Sequence, residues 1–395
     1  MIPRRAPCPA LVLVLALSLI YSPVHALVSL NDGHDHVYVT GGVNMGWTSN
    51  LFANSEAKSD YSVSSSLLVE YQRRAGWIGV NASVGIDATS YNVFTEENFA
   101  NPRFAAEFTK QTGRTTGSLT LSAARQSRAD AAVNTRVTSW NFGAGVNARY
   151  PIVSIYTLTG SLSFSQAKYL ESVFPDLSTY SASIDMIRLL STERDLTLGY
   201  RYRLTEASVD SGYDDHSVNV GLTGKLIRGL NGSLRAGYQT RTPFGASPTG
   251  RPESSYSSWT ASGSATYALN KRANFTGTIS KDFSTTATTA SVDTTTAALD
   301  FQYAYSSRWS LTASASLGDS RFLGESGRLV VSVGPPLLLG PQRHDTFLAF
   351  SASLNYSMNE HLRVTAAYNW FQNWSNEPFA DFIRSGYSLS LSSRW

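Results

Sequence analysis

The sequence is poor in cysteine, in charge and in helical periodicity, and each lack closes off a class of protein. Among 395 residues there is one cysteine, Cys8. It lies inside a leader-like segment, so disulfides, cysteine metal sites and cysteine nucleophiles are excluded beyond that segment. Asp, Glu, Lys and Arg make up 15% of the chain, against roughly 25% in soluble domains. The formal charge is +3, with no run of Lys or Arg, which gives no footing for nucleic-acid binding. No segment sustains a 3.6-residue apolar period. Beyond the leader no run reaches the roughly 18 apolar residues that a spanning helix needs. Histidine is also sparse, with 6 residues. His34-Asp35-His36 reads as a solvated tail rather than a metal site. Asp214-Asp215-His216 begins a strand, and His344 and His361 lie in connections. A lipid-side hydrolase needs a serine beside its histidine base, but the outward neighbours of His216 are Val218 and Val220. No catalytic group, cofactor or metal is expected.

What is present points elsewhere. Aromatics are 12% of the chain, with 20 Tyr, 18 Phe and 8 Trp, which argues against disorder. Residues 1–26 have the parts of a secretory signal: Arg4 and Arg5, an apolar stretch from Ala10 to Ile20, and small residues in Val24-His25-Ala26. Cleavage after Ala26 leaves 27–395 as a single domain.

That domain alternates with period two almost throughout, the pattern of half-buried strands. Val37, Val39, Gly41, Val43, Met45 and Trp47 share one face, and Tyr38, Thr40, Gly42, Asn44, Gly46 and Thr48 the other. The alternation predicts eighteen strands: 36–48, 61–72, 77–88, 102–111, 115–124, 136–149, 154–166, 178–188, 196–206, 215–226, 232–241, 256–269, 273–283, 294–305, 309–317, 346–358, 362–371 and 382–395. Reading weak segments such as 178–188 as connections would lower the count to sixteen. Short connections such as Thr112-Gly113-Arg114 and Asn270-Lys271-Arg272 alternate with longer polar links at 49–60, 89–101, 125–135, 242–255 and 318–345. Short turns on one side and longer loops on the other characterise a transmembrane antiparallel up-and-down β-barrel. Aromatics gather near strand ends in two girdles. One includes Tyr71, Trp77, Tyr150 and Trp309; the other includes Trp47, Trp140, Trp259, Phe283 and Trp370. A soluble β-sandwich would share the alternation, but not the girdles together with a leader and no disulfides. The expected location is the bacterial outer membrane, with its lipid as one partner and the barrel-assembly machinery as another.

The last strand places Tyr387, Leu389, Leu391 and Trp395 on one parity, with Ser393 as a polar break. An aromatic end behind alternating apolar residues is similar to the assembly signal of outer-membrane barrels. Two stretches resemble the β-barrel porin 2 family. In Gly41 to Tyr71, a strand ends in Ser49-Asn50-Leu51-Phe52 and Ser59-Asp60 opens the next. In Tyr368 to Trp395, a Tyr-rich strand, an Asn/Asp/Pro loop and a strand containing Arg384 end in an aromatic. The family often has Asp where Ser49 stands and usually ends in Phe. The resemblance implies a porin-like barrel of a kind met among proteins associated with exopolysaccharide export.

A barrel of eighteen strands is wide enough for an aqueous lumen, and small residues such as Ser161, Ser163 and Ser165 on the inward parity would not fill it. Parity aims Arg201, Arg203, Lys225, Arg235 and Arg241 into the lumen as a basic strip, opposite an acidic arc of Glu70, Asp87 and Glu107 with Arg103 among them. Such a strip would guide anions, or else pair with charges on neighbouring strands. Inward aromatics are few, mainly Tyr38 and Phe371, so stacking-based sugar selection has little support. The link 318–345 carries an apolar run, Leu329 to Gly340, broken by Pro335-Pro336. A hairpin, a constriction and a subunit contact are the readings open to it. The sequence thus predicts a passive channel for small hydrophilic solutes, anions among them. The alternative is a closed barrel that serves a polysaccharide export system.

Overall fold

A computed structural model describes residues 28–30, 35–74, 76–245, 254–324, 328–332 and 338–395. The leader expected over 1–26 and the Pro335-Pro336 pair lie outside them. The first strand, β1 (Val28–Leu30), pairs only with the start of β2 (Asp35–Thr48). The wall continues through β3 (Asp60–Arg73), β4 (Gly79–Tyr91), β5 (Phe99–Lys110), β6 (Thr116–Asp130), β7 (Thr135–Val153), β8 (Tyr156–Tyr169) and β9 (Leu177–Ser191). It goes on through β10 (Arg194–Ala207), β11 (Ser211–Ile227), β12 (Leu230–Gly245), β13 (Tyr256–Ala268), β14 (Ala273–Thr285), β15 (Ser291–Ala304) and β16 (Trp309–Leu323). A hairpin of β17 (Arg328–Ser332) and β18 (Leu338–Gln342) stands apart as a sheet of its own. The wall resumes with β19 (His344–Ser357), β20 (Leu362–Ser375) and β21 (Phe382–Arg394).

Each wall strand pairs antiparallel with its neighbours in sequence, and β21 pairs with β2 to close the ring at eighteen strands. The seam runs from Thr40↔Arg394 to Thr48↔Gly386, and Trp395 and Val39 exchange backbone hydrogen bonds at 3.0 Å in both directions. Residues 178–188 lie within β9, which settles the count at eighteen rather than sixteen.

The alternation sorts side chains as expected. Met45, Leu67, Val84, Leu162, Ile184, Leu198, Val218, Leu234 and Leu389 are exposed on the outer surface. So large an apolar surface has no place in water and matches the belt of a strand-crossing membrane protein. No helix is long and apolar enough to cross a membrane among the described residues. Rings pack on one another across strands toward both ends, as in Trp309–Tyr356 at 4.5 Å, Phe275–Phe301 at 4.7 Å, Phe164–Tyr180 at 5.1 Å and Trp47–Tyr387 at 6.0 Å between centroids.

Two expectations are corrected at the far end, opposite the one where β2 begins and β21 ends. The polar link 125–135 is mostly strand, because β6 runs to Asp130 and β7 starts at Thr135, leaving a four-residue turn. Phe283 is 2% exposed rather than part of a girdle. Both follow from one departure from a regular wall. β5 pairs with β6 only up to Arg103↔Ala124, whereas β6 and β7 stay paired up to Asp130↔Thr135. Likewise β13 pairs with β14 only up to Ala261↔Lys281, whereas β14 and β15 stay paired up to Thr285↔Ser291. The β6–β7 tip has therefore left the ring on both sides, since β7 pairs with β8 only up to Ser139↔Tyr169. The β14–β15 tip has left it on the β13 side alone and keeps β15 paired with β16 up to Ser291↔Leu323. Their contacts show that both lean into the lumen.

The wall beneath these tips needs clearance at two glycines. At Gly199 of β10 a Cβ would collide with Asp185 Oδ1 and lie 2.9 Å from Asn219 Oδ1. At Gly221 of β11 it would lie 2.6 Å from Arg235 Cγ. These glycines let Asp185 and Arg235 lie flat across the wall and meet at 3.0 Å, although their strands are three places apart. Gly199→Val should lower stability by about 1–3 kcal/mol through overpacking. A lower unfolding midpoint in a heat-modifiability gel checks this, and an unchanged midpoint would refute it.

Candidate functional site

The five residues of the expected basic strip all sit on β10–β12, and each is paired with a carboxylate. Arg201 and Arg203 meet Asp282 at 2.9 and 3.2 Å. Arg203 also meets Asp215 at 2.7 Å, and Arg241 meets the same carboxylate at 2.6 Å. Arg235 meets Asp185 at 3.0 Å, and Lys225, at the near end, meets Glu193 at 3.1 Å. In the acidic arc, Asp87 pairs with Arg103 at 2.8 Å, Glu70 pairs with Arg394 at 3.2 Å, and Glu107 is exposed. The alternation found the inward cations but not their partners, because a pair that spans several strands has no signature in local spacing.

Asp282 belongs to β14, four places round the ring from β10. Along the wall that is about 19 Å, far beyond an Arg–Asp pair, so the upper part of β14 must bend across the lumen. The wall grips this first tip. Arg203 Nη2 donates to Phe283 O at 2.9 Å, and Arg241 Nη1 donates to Ser284 O at 2.8 Å and to Ser291 Oγ at 2.9 Å. Tyr213 Oη donates to Thr289 O at 2.8 Å. Arg241 is fully buried between the rings of Tyr213 and Phe283, 4.7 and 5.1 Å from their centroids. Its bidentate bond to Asp215, at 2.6 and 2.8 Å, offsets the cost of removing a guanidinium from water.

The second tip, at the β6–β7 turn, reaches the opposite wall. Arg343, just before β19, donates through Nη1 to Ala132 O at 2.7 Å and through Nη2 to Ala131 O at 2.9 Å. Asp345 holds that guanidinium at 2.6 Å and accepts from Ser375 Oγ at 2.6 Å. Asn134 Nδ2 donates to Ala53 O at 2.9 Å, in the loop after β2. The base of the hairpin is tied down by Arg136, which meets Glu97 at 2.9 Å and lies over the rings of Tyr91 and Phe99. Ala132 also packs on a cluster of Ala290, Val292 and Phe322. The two tips thus meet over the mouth.

Below them lie two chambers. One, of about 170 Å3, is lined by Asp185, Arg201, Asn219, Arg235 and Asp282 with hydroxyls from Ser217 and Thr260. The other, of about 620 Å3, lies against β16, β19–β21 and β2 and includes Ala129 and Ala131 of the second tip in its lining. Its lining includes Phe371 and Phe382, and Phe347 lies beside them outside that lining. Phe347, Phe371 and Phe382 stack in series across β19, β20 and β21, with centroids 5.6 and 5.5 Å apart.

Outside the lumen, His216 shares a 2.7 Å hydrogen bond with Tyr200 Oη, and its ring lies 5.3 Å from that of Tyr202. No group of residues suited to hold a metal occurs among the described residues. His34 lies outside them, and Asp35 meets Arg73 at 3.8 Å. Tyr387 and Leu389 are exposed on the outer surface. Trp395 stacks on His361 with centroids 4.2 Å apart. The link 318–345 contributes the β17–β18 hairpin.

No family model matches the chain. No curated protein matches it either. Solved structures do share the barrel. OccAB2 of Acinetobacter baumannii is 10% identical, with 93% of this chain and 99% of that chain covered and a TM-score of 0.51. OpdK of Pseudomonas aeruginosa, solved with vanillate, is 11% identical, with 91% and 99% covered and a TM-score of 0.50. The FrpB iron transporter from Neisseria meningitidis is 8% identical, with 85% of this chain covered and a TM-score of 0.48; the chain spans 62% of its length. At these identities the likeness is one of fold.

Arg343→Ala should release the second tip, since it removes both carbonyl contacts and leaves Asp345 with Ser375. Limited proteolysis of the folded barrel should then cut within 131–134 several times faster than in the wild type. Equal rates would mean that Arg343 does not hold the tip.

Proposed function

We propose that the protein is an outer-membrane channel for the passive diffusion of small hydrophilic solutes. The observation that carries this reading is the closed eighteen-strand ring, apolar outside and lined by hydroxyls, amides and paired charges within. A ring of this size leaves room for water, and passive flow needs no cofactor. The two tips at the mouth favour narrow, selective passage over a wide pore. On this reading the far end faces the cell exterior, and Tyr387, Leu389, Leu391 and Trp395 are the surface offered to the assembly machinery.

Charge selection would be mild. The upper strip sets four guanidiniums, Arg201, Arg203, Arg235 and Arg241, against three carboxylates, Asp185, Asp215 and Asp282. The surplus is one positive charge, which favours anions weakly. Purified protein in a planar bilayer should give stable single-channel steps, with a reversal potential slightly on the anion side under a salt gradient. Arg235→Gln leaves Asp185 without its cation and should shift that potential toward cations. An unshifted potential would refute the role of the strip, and no steps from a correctly folded barrel would refute the channel.

A further inference from the structure

The larger chamber holds a feature that passive flow leaves unused. Its volume of about 620 Å3 falls within the range of small-molecule sites, roughly 300–1,000 Å3. Among the described residues that line it, Arg384 alone carries charge. Unlike the strip arginines, Arg384 forms no ion pair with any described carboxylate. Its Nε donates to Thr48 Oγ1 at 3.3 Å, and its two terminal nitrogens make no hydrogen bond among the described residues. The guanidinium of Arg136 is already taken by Glu97. A cation set into the wall of a neutral chamber with its fork unused is what a single carboxylate would complete.

The rest of the lining says what the carboxylate is attached to. Phe371 is half-buried in the lining, backed by the buried ring of Phe382 with centroids 5.5 Å apart, and its accessible part suits the C–H face of a ring. Asn44, Ser62, Ser314, Ser316, Ser351 and Asn369 also line the chamber, and none of their side chains makes a hydrogen bond among the described residues. Such a density of free hydroxyls and amides suits a ligand rich in hydroxyls. One cation suits a monoanion rather than a phosphate dianion.

We propose that this chamber binds a sugar acid, a pyranose ring bearing one carboxylate, with the carboxylate on Arg384 and the ring against Phe371. This rests on reading the lumen as a solute pathway, but binding is measurable without conduction.

The test is equilibrium binding by titration calorimetry and saturation-transfer NMR, with the full chain folded in detergent micelles and D-glucuronate, D-glucose and benzoate as probes. Glucuronate should bind. Glucose, lacking the charge, should bind about ten- to hundredfold more weakly, as the loss of a charge-assisted hydrogen bond implies. Arg384→Gln should bring glucuronate down to the level of glucose, and Arg384→Lys should keep part of the difference. A heat-modifiability gel shows whether each variant is folded. Three results would overturn the site: no glucuronate binding by the folded wild type, unchanged binding in Arg384→Gln, or benzoate binding as tightly as glucuronate. Intact binding in a barrel that passes no current would contradict the channel alone.

Discussion

Closure of the backbone ladder is the constraint on which everything else depends. A strand facing hydrocarbon has no water to satisfy its N–H and C=O groups, so each must find a neighbouring strand. The seam of β2 with β21 removes the last two edges. Once the ring is closed, the period-two alternation fixes each side chain to one of two environments. The outward set must be apolar, and the inward set is free to be small and polar. A lumen therefore follows from the same rule that holds the wall together.

The mouth shows what happens where the ladder is given up. β6 loses its pairing with β5 above Ala124 and β14 its pairing with β13 above Lys281, and arginines bond to the tips in its place. Arg203 and Arg241 bond to the carbonyls of Phe283 and Ser284, and Arg343 to those of Ala131 and Ala132. Each guanidinium is held by an aspartate, Asp215 or Asp345, which fixes the fork before it meets the carbonyls. Much of the inward charge is thereby spent on architecture. Arg384 stands outside these networks.

The fold was legible in the sequence because alternation, turn spacing and ring girdles are local signals that all report the same wall. Eighteen strands were counted from them, and β9 was the one in doubt. The site was legible only in part. Parity aimed Arg201, Arg203, Lys225, Arg235 and Arg241 inward, yet it could not show Asp282 reaching back across four strands. Phe283 was assigned to a girdle because parity assumes that its strand stays in the wall. The residues at 125–130 were too polar to announce a strand, since a hairpin inside a wet lumen needs no apolar face. Arg384 was noticed only as part of a family-like stretch; what sets it apart is the lack of a carboxylate, which depends on tertiary placement.

The central claim is that the two tips meet and narrow the mouth of an otherwise open barrel. The chain beyond residue 26 has no cysteine, so Ala132→Cys combined with Ala290→Cys gives an unambiguous cross-link. Single-channel conductance of this double variant, oxidised and then reduced, is the most direct measurement. The account predicts that the disulfide forms, lowers the current or its fluctuations, and that reductant restores both. A pair that does not cross-link in the folded barrel, or a cross-link that leaves the current unchanged, would contradict it.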